Sequence, residues 1–381
     1  MEKFVTYNPT KLFFGKQSIT ALSKHSSVLG KKVLLMMGGS SAKKNGAYHD
    51  VMQQLKSTKT SVVEFWGIKP NPRIDEVIEA IKIGRKEKVD FIVAMGGGSV
   101  IDSSKIAALC IPENAEPWQV MKGEYKPKPK QALPLVVVLT IAATGSEMNC
   151  FAVLQNMATK EKIGFGSPLV FPTLSICDPT YTLTVPVNNT AYGMADIAAH
   201  ALEAYFGEGD AILSDRFVVS ILKELIDISV PLLHKPDDYS LRERMMWVST
   251  CALNGTTTSG RKSGDWGAHD IAHHLSVLYD IPHGASLSVV YPAWLKLFKK
   301  ELNHRITWLG KEVFNVNTAS ATINCFISFF NKINCPVSLS SLGITGSKYD
   351  AFKKLVLQHK PSGTAHPLNT KQLSQLIEWM K

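Results

Sequence analysis

Acidic and histidine side chains in the second half of this sequence have the spacing of neighbours on one face of a helix. Asp196 and His200 are four residues apart in a segment of helical period, and His269 and His273 repeat that spacing. His283 follows in a Pro-His-Gly turn. One carboxylate with three imidazoles is a typical ligand set for a divalent transition metal such as Fe²⁺ or Zn²⁺, with coordination positions left for a substrate oxygen. The spacing therefore predicts a metal site.

Each of these side chains also has an ordinary explanation when it is taken alone. Asp196 could be an acid on a helix surface, His200 a buried histidine with a hydrogen-bond partner, and His283 a turn residue between proline and glycine. Two helical pairs combined with such a turn favour the metal site over separate explanations for each residue. No cysteine clusters with these residues, which argues against a structural site built from thiolates.

Two glycine-rich turns follow apolar segments in the first half of the chain. The segment 32–37 is followed by Gly38-Gly39-Ser40, and the segment 89–95 by Gly96-Gly97-Gly98-Ser99. A glycine turn between a strand and a helix brings backbone N–H groups close to a phosphate, where a Cβ would be in the way. Ile101 stands where the third glycine of the Rossmann fingerprint would be, and there is no Walker A sequence. The turns therefore favour phosphate binding, although Gly96 to Gly98 could equally serve only to end a buried strand.

The first of these turns also indicates which dinucleotide would bind. A ribose with a free 2′-hydroxyl is usually held by an acidic side chain, whereas a 2′-phosphate requires small donors and nearby cations. No acid lies between Met36 and Tyr48, but this stretch contains two serines and the pair Lys43-Lys44. The sequence therefore predicts that NADP(H) is preferred to NAD(H).

The elements that must position these residues change character near residue 186. Before it, apolar strands alternate with helices, as in a parallel α/β sheet, and after it the apolar spacing is helical throughout. We therefore predict a Rossmann-like dinucleotide-binding α/β domain over residues 1–185 and an all-α metal-binding and catalytic domain over residues 186–381. The predicted strands are 32–37, 61–65, 89–95 and 133–141, and the predicted helices are 46–57, 74–88, 190–206, 212–233, 241–258, 265–278 and 318–333.

Composition excludes several classes of protein. With 45% hydrophobic residues the chain is not disordered, and its apolar segments are too short to span a bilayer. The formal charge of +10 could attract a nucleic acid, an anionic membrane surface or a smaller phosphorylated ligand, and it could equally belong to a solvated surface. Nucleic-acid binding would require basic residues interleaved with aromatics, and the basic loop from Lys122 to Lys130 lacks that pattern. The six cysteines show no C-x-x-C pair, and residues 1–15 lack a secretory apolar core, so we expect a soluble cytoplasmic protein.

These motifs together resemble those of the iron-containing, or group III, alcohol dehydrogenases, in order and over about residues 1–295. Gly38-Gly39-Ser40 and Asp265-Trp266 resemble the branch of NADPH-dependent aldehyde reductases and butanol dehydrogenases. The matching segments are Pro70-Asn71-Pro72, Gly96 to Asp102, Ala143 to Glu147, Asp178-Pro179, Asp196 to Glu203, His269 to His273, and Pro282-His283-Gly284.

The resemblance implies a homodimeric enzyme that reversibly reduces small aldehydes to primary alcohols. It implies Asp196, His200, His269 and His283 as the metal ligands, and His273 as a proton-relay residue near the nicotinamide. The cofactor contacts that it implies fall into three groups. Gly97, Gly98, Ser99 and the catalytic-site residue Asp102 would line the pyrophosphate and nicotinamide end, Thr140, Thr144, Asn149, Lys162 and Tyr181 would lie elsewhere along the cofactor, and Gly38, Gly39, Ser40 and Lys43 would surround the 2′-phosphate.

A lyase similar to dehydroquinate synthase is the alternative on the same fold. It would handle an anionic substrate, for which several lysines or arginines should lie near the histidines. Only Arg261 and Lys262 do so in the sequence, against Asp265, Asp270 and Asp280. The physiological aldehyde and the choice between Fe²⁺ and Zn²⁺ leave no mark in the sequence.

Overall fold

The structure is a computed structural model and describes residues 1–113, 115–126, 128 and 132–381. Within these residues six parallel strands form one sheet, in the order β1-β8-β5-β4-β2-β3, and β6 pairs with β7 in an antiparallel hairpin. The basic loop from Lys122 to Lys130 lies partly outside the described residues. The strands are β1 (Lys11–Phe14), β2 (Lys32–Met37), β3 (Ser61–Phe65), β4 (Phe91–Gly96), β5 (Leu135–Leu139), β6 (Phe151–Asn156), β7 (Glu161–Gly166) and β8 (Leu174–Cys177).

Helices account for most of the remaining chain. The first six connect the strands, and none of the helices in the described residues is long and apolar enough to cross a bilayer. They are α1 (Ala21–Leu29), α2 (Ser41–Lys44), α3 (Ala47–Ser57), α4 (Ile74–Glu87), α5 (Gly98–Cys110), α6 (Pro117–Met121), α7 (Val187–Tyr205), α8 (Ile212–His234), α9 (Tyr239–Ala252), α10 (Gly267–Tyr279), α11 (His283–Leu297), α12 (Asn303–Phe314), α13 (Ala319–Lys332), α14 (Ser347–His359) and α15 (Thr370–Trp379).

The central strands of the six-stranded sheet are apolar on both faces. Val33 to Met37 in β2, Phe91 to Met95 in β4 and Val136 to Val138 in β5 are fully buried, as expected when helices cover both sides of a parallel sheet. β2 and β4 are neighbours, and Met37 pairs with Met95 at their carboxyl ends. The two glycine turns therefore leave the sheet at the same edge.

The α/β class is confirmed, and the predicted strands 32–37 and 61–65 have the predicted bounds. The other two are shorter or shifted, since β4 begins at Phe91 and β5 spans only Leu135–Leu139. Four strands were not predicted. β1 and β8 have four residues each, too few to show a period, and the hairpin of β6 and β7 contains Gly164 and Gly166, which weaken a strand pattern.

The chain forms two compact units. The α/β unit comprises Tyr7–Val185 and Pro236–Asn254, and the helical unit comprises Met1–Thr6, Pro186–Lys235 and Gly255–Lys381. The predicted division at residue 186 coincides with a change of unit, but two segments lie in the unit that was not expected.

The larger of these segments contains α9, which we expected in the all-α domain. Arg242 donates hydrogen bonds to the backbone oxygens of Pro236 (2.7 Å) and Val185 (3.1 Å). Farther along the helix, the Thr250 hydroxyl donates to the Glu147 carboxylate at 2.6 Å. Helical spacing identified α9, although the predicted helix 241–258 extends six residues beyond its end at Ala252. That spacing contains no signal for the unit to which the helix belongs.

The bond between Thr250 and Glu147 gives a test of how α9 is anchored. Glu147 is fully buried, and burial raises the pKa of its carboxyl. We expect Thr250→Val to destabilise the protein by about 1–3 kcal/mol, because it leaves a buried carboxylate oxygen without its donor. Urea unfolding followed by circular dichroism measures this. Thr20→Val, which removes an exposed hydroxyl, should stay within about 0.5 kcal/mol of wild type, and an equal loss in both variants would contradict the expectation.

Candidate metal and dinucleotide site

Three of the predicted ligands converge in the helical unit. Asp196 and His200 lie one turn apart on α7, and His269 lies on α10. All three side chains are buried, and one potential ligand atom from each lies within 4.8 Å of the others. Because α7 and α10 are far apart in sequence, only the packing of the helices brings these groups together.

The distances within this cluster fit a bound cation better than hydrogen bonds. Asp196 Oδ1 lies 3.7 Å from His200 Nδ1, 3.9 Å from His269 Nε2 and 3.8 Å from His283 Nε2. These distances exceed a hydrogen bond but approach the edge of about 3.4 Å expected for a tetrahedron with metal–ligand bonds of about 2.1 Å. Asp196 Oδ1 is buried and accepts no hydrogen bond from the described residues. A positive charge nearby would offset the cost of burying a carboxylate oxygen of this kind.

His283 reaches the cluster from the start of α11, and the backbone there leaves no room for a side chain at the next position. A Cβ at Gly284 would overlap the backbone oxygen of Tyr192 on α7. The glycine is therefore required for the close approach of α11 and α7, which sets the position of His283 relative to Asp196.

Glu203 supports this cluster, although no role was predicted for it. Its side chain is fully buried; Oε1 accepts hydrogen bonds from His269 Nδ1 (2.8 Å) and the His269 backbone N–H (3.1 Å), and Oε2 accepts one from the Trp266 backbone N–H (2.7 Å). Burial raises the pKa of Glu203 to about 7. A carboxylate that accepts from one imidazole nitrogen orients the other toward a metal. Its position three residues after His200, on the same helix face, was the available sequence signal.

His273 and His274 have different surroundings despite being adjacent in sequence. The His273 ring lies 5.4 Å from the ring of His283, so it borders the cluster. His274 instead forms hydrogen bonds with the Asp270 backbone oxygen (2.9 Å) and with His359 Nδ1 (3.2 Å). Burial lowers the pKa of His274 to about 4, which keeps its ring neutral. The two side chains leave α10 about 100° apart, and only His273 borders the cluster.

The C-terminal region, for which no site residue was predicted, forms hydrogen bonds with Asp265 just before α10. Asp265 accepts hydrogen bonds from the backbone N–H groups of Gly267 (3.2 Å), Ala365 (3.1 Å) and His366 (2.7 Å). Burial and the nearby Glu203 charge raise the pKa of Asp265 to about 6. The helix that carries His269 is therefore fixed at its start by residues nearly one hundred positions later.

The glycine turns occupy the sheet edge of the α/β unit. Gly97 caps α5 and Gly98 begins it, and a Cβ on either would overlap Ile141 or Thr144 respectively. The N-terminus of this 13-residue helix therefore offers backbone N–H groups at a turn that can approach a phosphate closely. Thr140, whose backbone N–H donates to Gly96 O at 3.0 Å, lies at the same edge.

Asp102 lies one turn into α5 and both of its carboxylate oxygens accept hydrogen bonds. Oδ1 accepts from the Ser146 hydroxyl (2.6 Å) and Oδ2 from the Val153 backbone N–H (2.8 Å). Burial raises the pKa of its carboxyl. These two hydrogen bonds hold the Asp102 carboxylate in one orientation, one helical turn after Gly98.

Lys105 is fully buried beside Asp102, and its role was not predicted. Its ammonium donates to Ser146 Oγ (2.8 Å), Asn149 Oδ1 (3.0 Å) and the Phe151 backbone oxygen (2.6 Å). Burial lowers the pKa of Lys105 to about 8. The network ties two predicted cofactor residues, Asp102 and Asn149, to one cation. A lysine among the small and apolar residues of α5, three positions after Asp102, was the sequence signal for it.

The remaining predicted cofactor residues are spread more widely over the α/β unit. Ser99 donates a short hydrogen bond to the Pro70 backbone oxygen, and Lys162 donates to Asn71 Oδ1 at 3.0 Å, so both contact the Pro-Asn-Pro loop. Tyr181 is 2% exposed, packs in the hydrophobic core and donates to Asp50 at 2.9 Å. Gly39, Ser40 and Lys43 are exposed after β2.

The contact between α11 and α7 provides a test of the metal cluster. We expect Gly284→Ala to destabilise the helical unit by about 1–3 kcal/mol, because the added Cβ forces the two helices apart. We also expect it to weaken the rise in Tm on addition of Zn²⁺, because His283 moves away from Asp196. Differential scanning calorimetry with and without Zn²⁺ measures both. Gly164→Ala is the control, since a Cβ there meets no neighbour; an unchanged Zn²⁺ shift in Gly284→Ala would contradict this view of the site.

Comparison with known families covers nearly the whole chain. The model of the iron-containing alcohol dehydrogenases matches residues 9–179, and that of the C-terminal domain of the Fe-containing alcohol dehydrogenase family matches residues 190–380. A probable NADH-dependent butanol dehydrogenase 1 of Bacillus subtilis is 37% identical over 99% of both chains. The NADPH-dependent aldehyde reductase YqhD of Escherichia coli is 35% identical over 94% of both.

A solved structure extends this similarity to three dimensions. The crystal structure of the NADH-dependent butanol dehydrogenase A of Thermotoga maritima superposes with a TM-score of 0.95 at 36% identity, covering 100% of this chain and 99% of that one. Sequence and fold therefore agree, and the chain belongs to the iron-containing alcohol dehydrogenase family.

Proposed function

We propose that this protein reduces small aldehydes reversibly to primary alcohols with NAD(P)H, at one divalent metal ion bound by Asp196, His200, His269 and His283. The observation that carries the proposal is the buried Asp196 Oδ1, with an imidazole nitrogen of each of the three histidines at 3.7–3.9 Å. Carboxylate and imidazole accept both Fe²⁺ and Zn²⁺, so we propose either ion. The relatives named butanol dehydrogenase and aldehyde reductase support the substrate class.

When bound, the metal supplies a Lewis acid for the carbonyl oxygen, and the reduced nicotinamide supplies the hydride. The residues of the chain contribute position and a proton. Glu203 orients His269, and Gly284 allows His283 to approach. We assign the proton that completes the alcohol to His273, directly or through water or a ribose hydroxyl, because an imidazole can donate and accept near neutral pH and this ring borders His283.

For the dinucleotide, we propose that the pyrophosphate binds at the N-terminus of α5, with Gly97, Gly98 and Ser99 nearest to it and Asp102 toward the nicotinamide. Thr140, Thr144, Asn149, Lys162 and Tyr181 remain the proposed contacts along the rest of the cofactor. We further propose that NADP(H) is preferred to NAD(H), because glycines, Ser40 and Lys43 follow β2 where an acid would otherwise hold a ribose. The names of the relatives include both NADH- and NADPH-dependent enzymes.

Two broader properties complete the proposal. We propose a homodimer, by resemblance to the family, and sedimentation equilibrium of the purified protein tests it. We also propose a cytoplasmic enzyme, and cell fractionation with an antibody to the chain tests that location.

Removing two proposed ligands tests the catalytic metal directly. We expect His269→Ala and His283→Ala to lose most of the bound metal and to reduce NADPH oxidation with butanal by at least about a hundredfold, because each substitution removes a ligand. Elemental analysis and steady-state kinetics measure these changes. His304→Ala, which changes an exposed histidine, is the control; full metal content and activity in both ligand variants would refute the assignment.

The support from Glu203 is tested separately by metal affinity. We expect Glu203→Ala to weaken Zn²⁺ binding by about 10–100-fold, because His269 loses the partner that orients its ring. Competition with a chromophoric chelator measures the affinity independently of turnover. The control is Glu208→Ala, an exposed carboxylate paired with Lys262 on the same unit, and a wild-type affinity in Glu203→Ala would show that the carboxylate does not act on the metal.

A further inference from the structure

Lys43 follows the first glycine turn, and its charge is held over two aromatic rings. Its backbone N–H donates to Ser40 O at 3.1 Å, so the lysine lies directly after the turn. Its ammonium lies 4.6 Å from the Trp66 ring centroid and 5.2 Å from that of Tyr48. Ammonium groups within about 6 Å of a ring face are attracted by the ring quadrupole. An exposed lysine that would otherwise sample many rotamers is therefore restrained here.

The two rings are in turn held by one carboxylate. Tyr48 on α3 donates its hydroxyl to Glu64 Oε1 at 2.8 Å, and Trp66 donates its indole N–H to Glu64 Oε2 at 2.7 Å. The ring centroids are 5.5 Å apart. Each oxygen of the carboxylate thus receives one aromatic donor, which restrains both rings. We refer to Tyr48, Glu64 and Trp66 as the lysine clasp.

The lysine clasp is anchored to the glycine turn by the sheet. Glu64 lies on β3, which pairs in parallel with β2, and immediately after Trp66 the Gly67 backbone N–H donates to Gly38 O at 3.1 Å. The rings and the turn therefore share one edge of the sheet, and Lys43 is held where the chain leaves β2.

Glu64 is the acid on β3, the strand beside the turn, which bears on the choice of cofactor. In enzymes that use NAD, an acidic side chain near this edge accepts hydrogen bonds from the ribose hydroxyls. Here both oxygens of Glu64 already accept from Tyr48 and Trp66. The carboxylate orients aromatic side chains, and the Lys43 ammonium over those rings is an exposed positive charge directly after the turn.

We propose that the lysine clasp determines specificity for the dinucleotide by holding the Lys43 ammonium ready for a 2′-phosphate. The inference rests on the proposed binding of NADP(H) at the Gly38–Ser40 turn. Restraining the lysine before the ligand arrives reduces the ordering cost of forming the ion pair, which is how preorganisation raises affinity. A ligand without the 2′-phosphate gains nothing from this arrangement.

Binding of two adenosine nucleotides to the full-length protein tests the proposal. The probes are 2′,5′-ADP and 5′-AMP, measured by isothermal titration calorimetry, with kcat/KM for NADPH and NADH as a second readout. We expect Trp66→Ala to weaken 2′,5′-ADP by about 3–30-fold and 5′-AMP by less than about twofold, which is the range of a lost cation–π contact. Tyr48→Phe keeps the ring but loses the bond to Glu64, so it should cause a smaller change in the same direction without a change in folding.

Lys43→Met and Lys56→Met separate a failure of the clasp from a failure of the proposed cofactor preference. Lys56 is an exposed lysine of the same unit on α3, so its variant controls for loss of one positive charge. We expect only Lys43→Met to lower the preference for the 2′-phosphate. If Lys43→Met lowers the preference for the 2′-phosphate but Trp66→Ala does not, the proposal for the lysine clasp is wrong and the NADP(H) proposal stands. If wild type prefers NADH and Lys43→Met changes nothing, both proposals are wrong.

Two other results would also overturn the clasp. An equal loss of 2′,5′-ADP and 5′-AMP in Trp66→Ala would mean that the indole binds adenine and does not position the lysine. Tighter binding of 2′,5′-ADP in that variant would mean that the rings withhold Lys43 from the phosphate.

Discussion

The cluster of Asp196 and three histidines in this protein is built around a carboxylate oxygen that is buried without a hydrogen-bond donor among the described residues. Asp196 Oδ1 lies among imidazole nitrogens of α7, α10 and α11 at distances longer than hydrogen bonds. A nearby cation offsets the cost of burying such an oxygen. Three features of the helical unit hold the groups around this oxygen. Gly284 allows α11 to approach α7, Glu203 accepts a hydrogen bond from His269, and a backbone N–H of the C-terminal segment donates to Asp265 just before α10.

The α/β unit meets a different requirement in the proposed function, which is to bring backbone donors to the phosphates of the dinucleotide. The strand order places β2 beside β4, and their carboxyl ends are in register, so both glycine turns share one edge. The fully buried ammonium of Lys105 donates to Asn149 and to Ser146, and the Ser146 hydroxyl in turn donates to Asp102. A buried polar network of this kind is costly when it is incomplete. When every member has its hydrogen bonds, the network restricts its side chains to one arrangement. Two lysines of this unit thus have different surroundings. Lys105 is buried and supports the polar network, whereas Lys43 is an exposed cation after the first glycine turn.

Local spacing predicted a large part of this protein correctly. A four-residue interval places two side chains on one helix face whatever surrounds the helix, so Asp196 and His200 were placed together from the sequence. Continuous apolar runs bounded by glycine likewise identified β2 and β4, because strands buried on both faces have no polar positions. The short edge strand β1 and the glycine-containing strand β7 gave no comparable pattern.

Contacts between distant residues were beyond such reasoning. Glu203 meets His269 across 66 positions, and Thr250 meets Glu147 across 103. No local period encodes which helix packs on which, so the sequence could not show that α9 belongs to the α/β unit or that His273, unlike His274, borders the metal cluster. The sequence by itself determined the strands and helices with a strong apolar period and which candidate side chains share a helix face, since these follow from spacing along the chain. Only the tertiary structure decided which of those side chains meet and which residues hold them, because that depends on packing between elements.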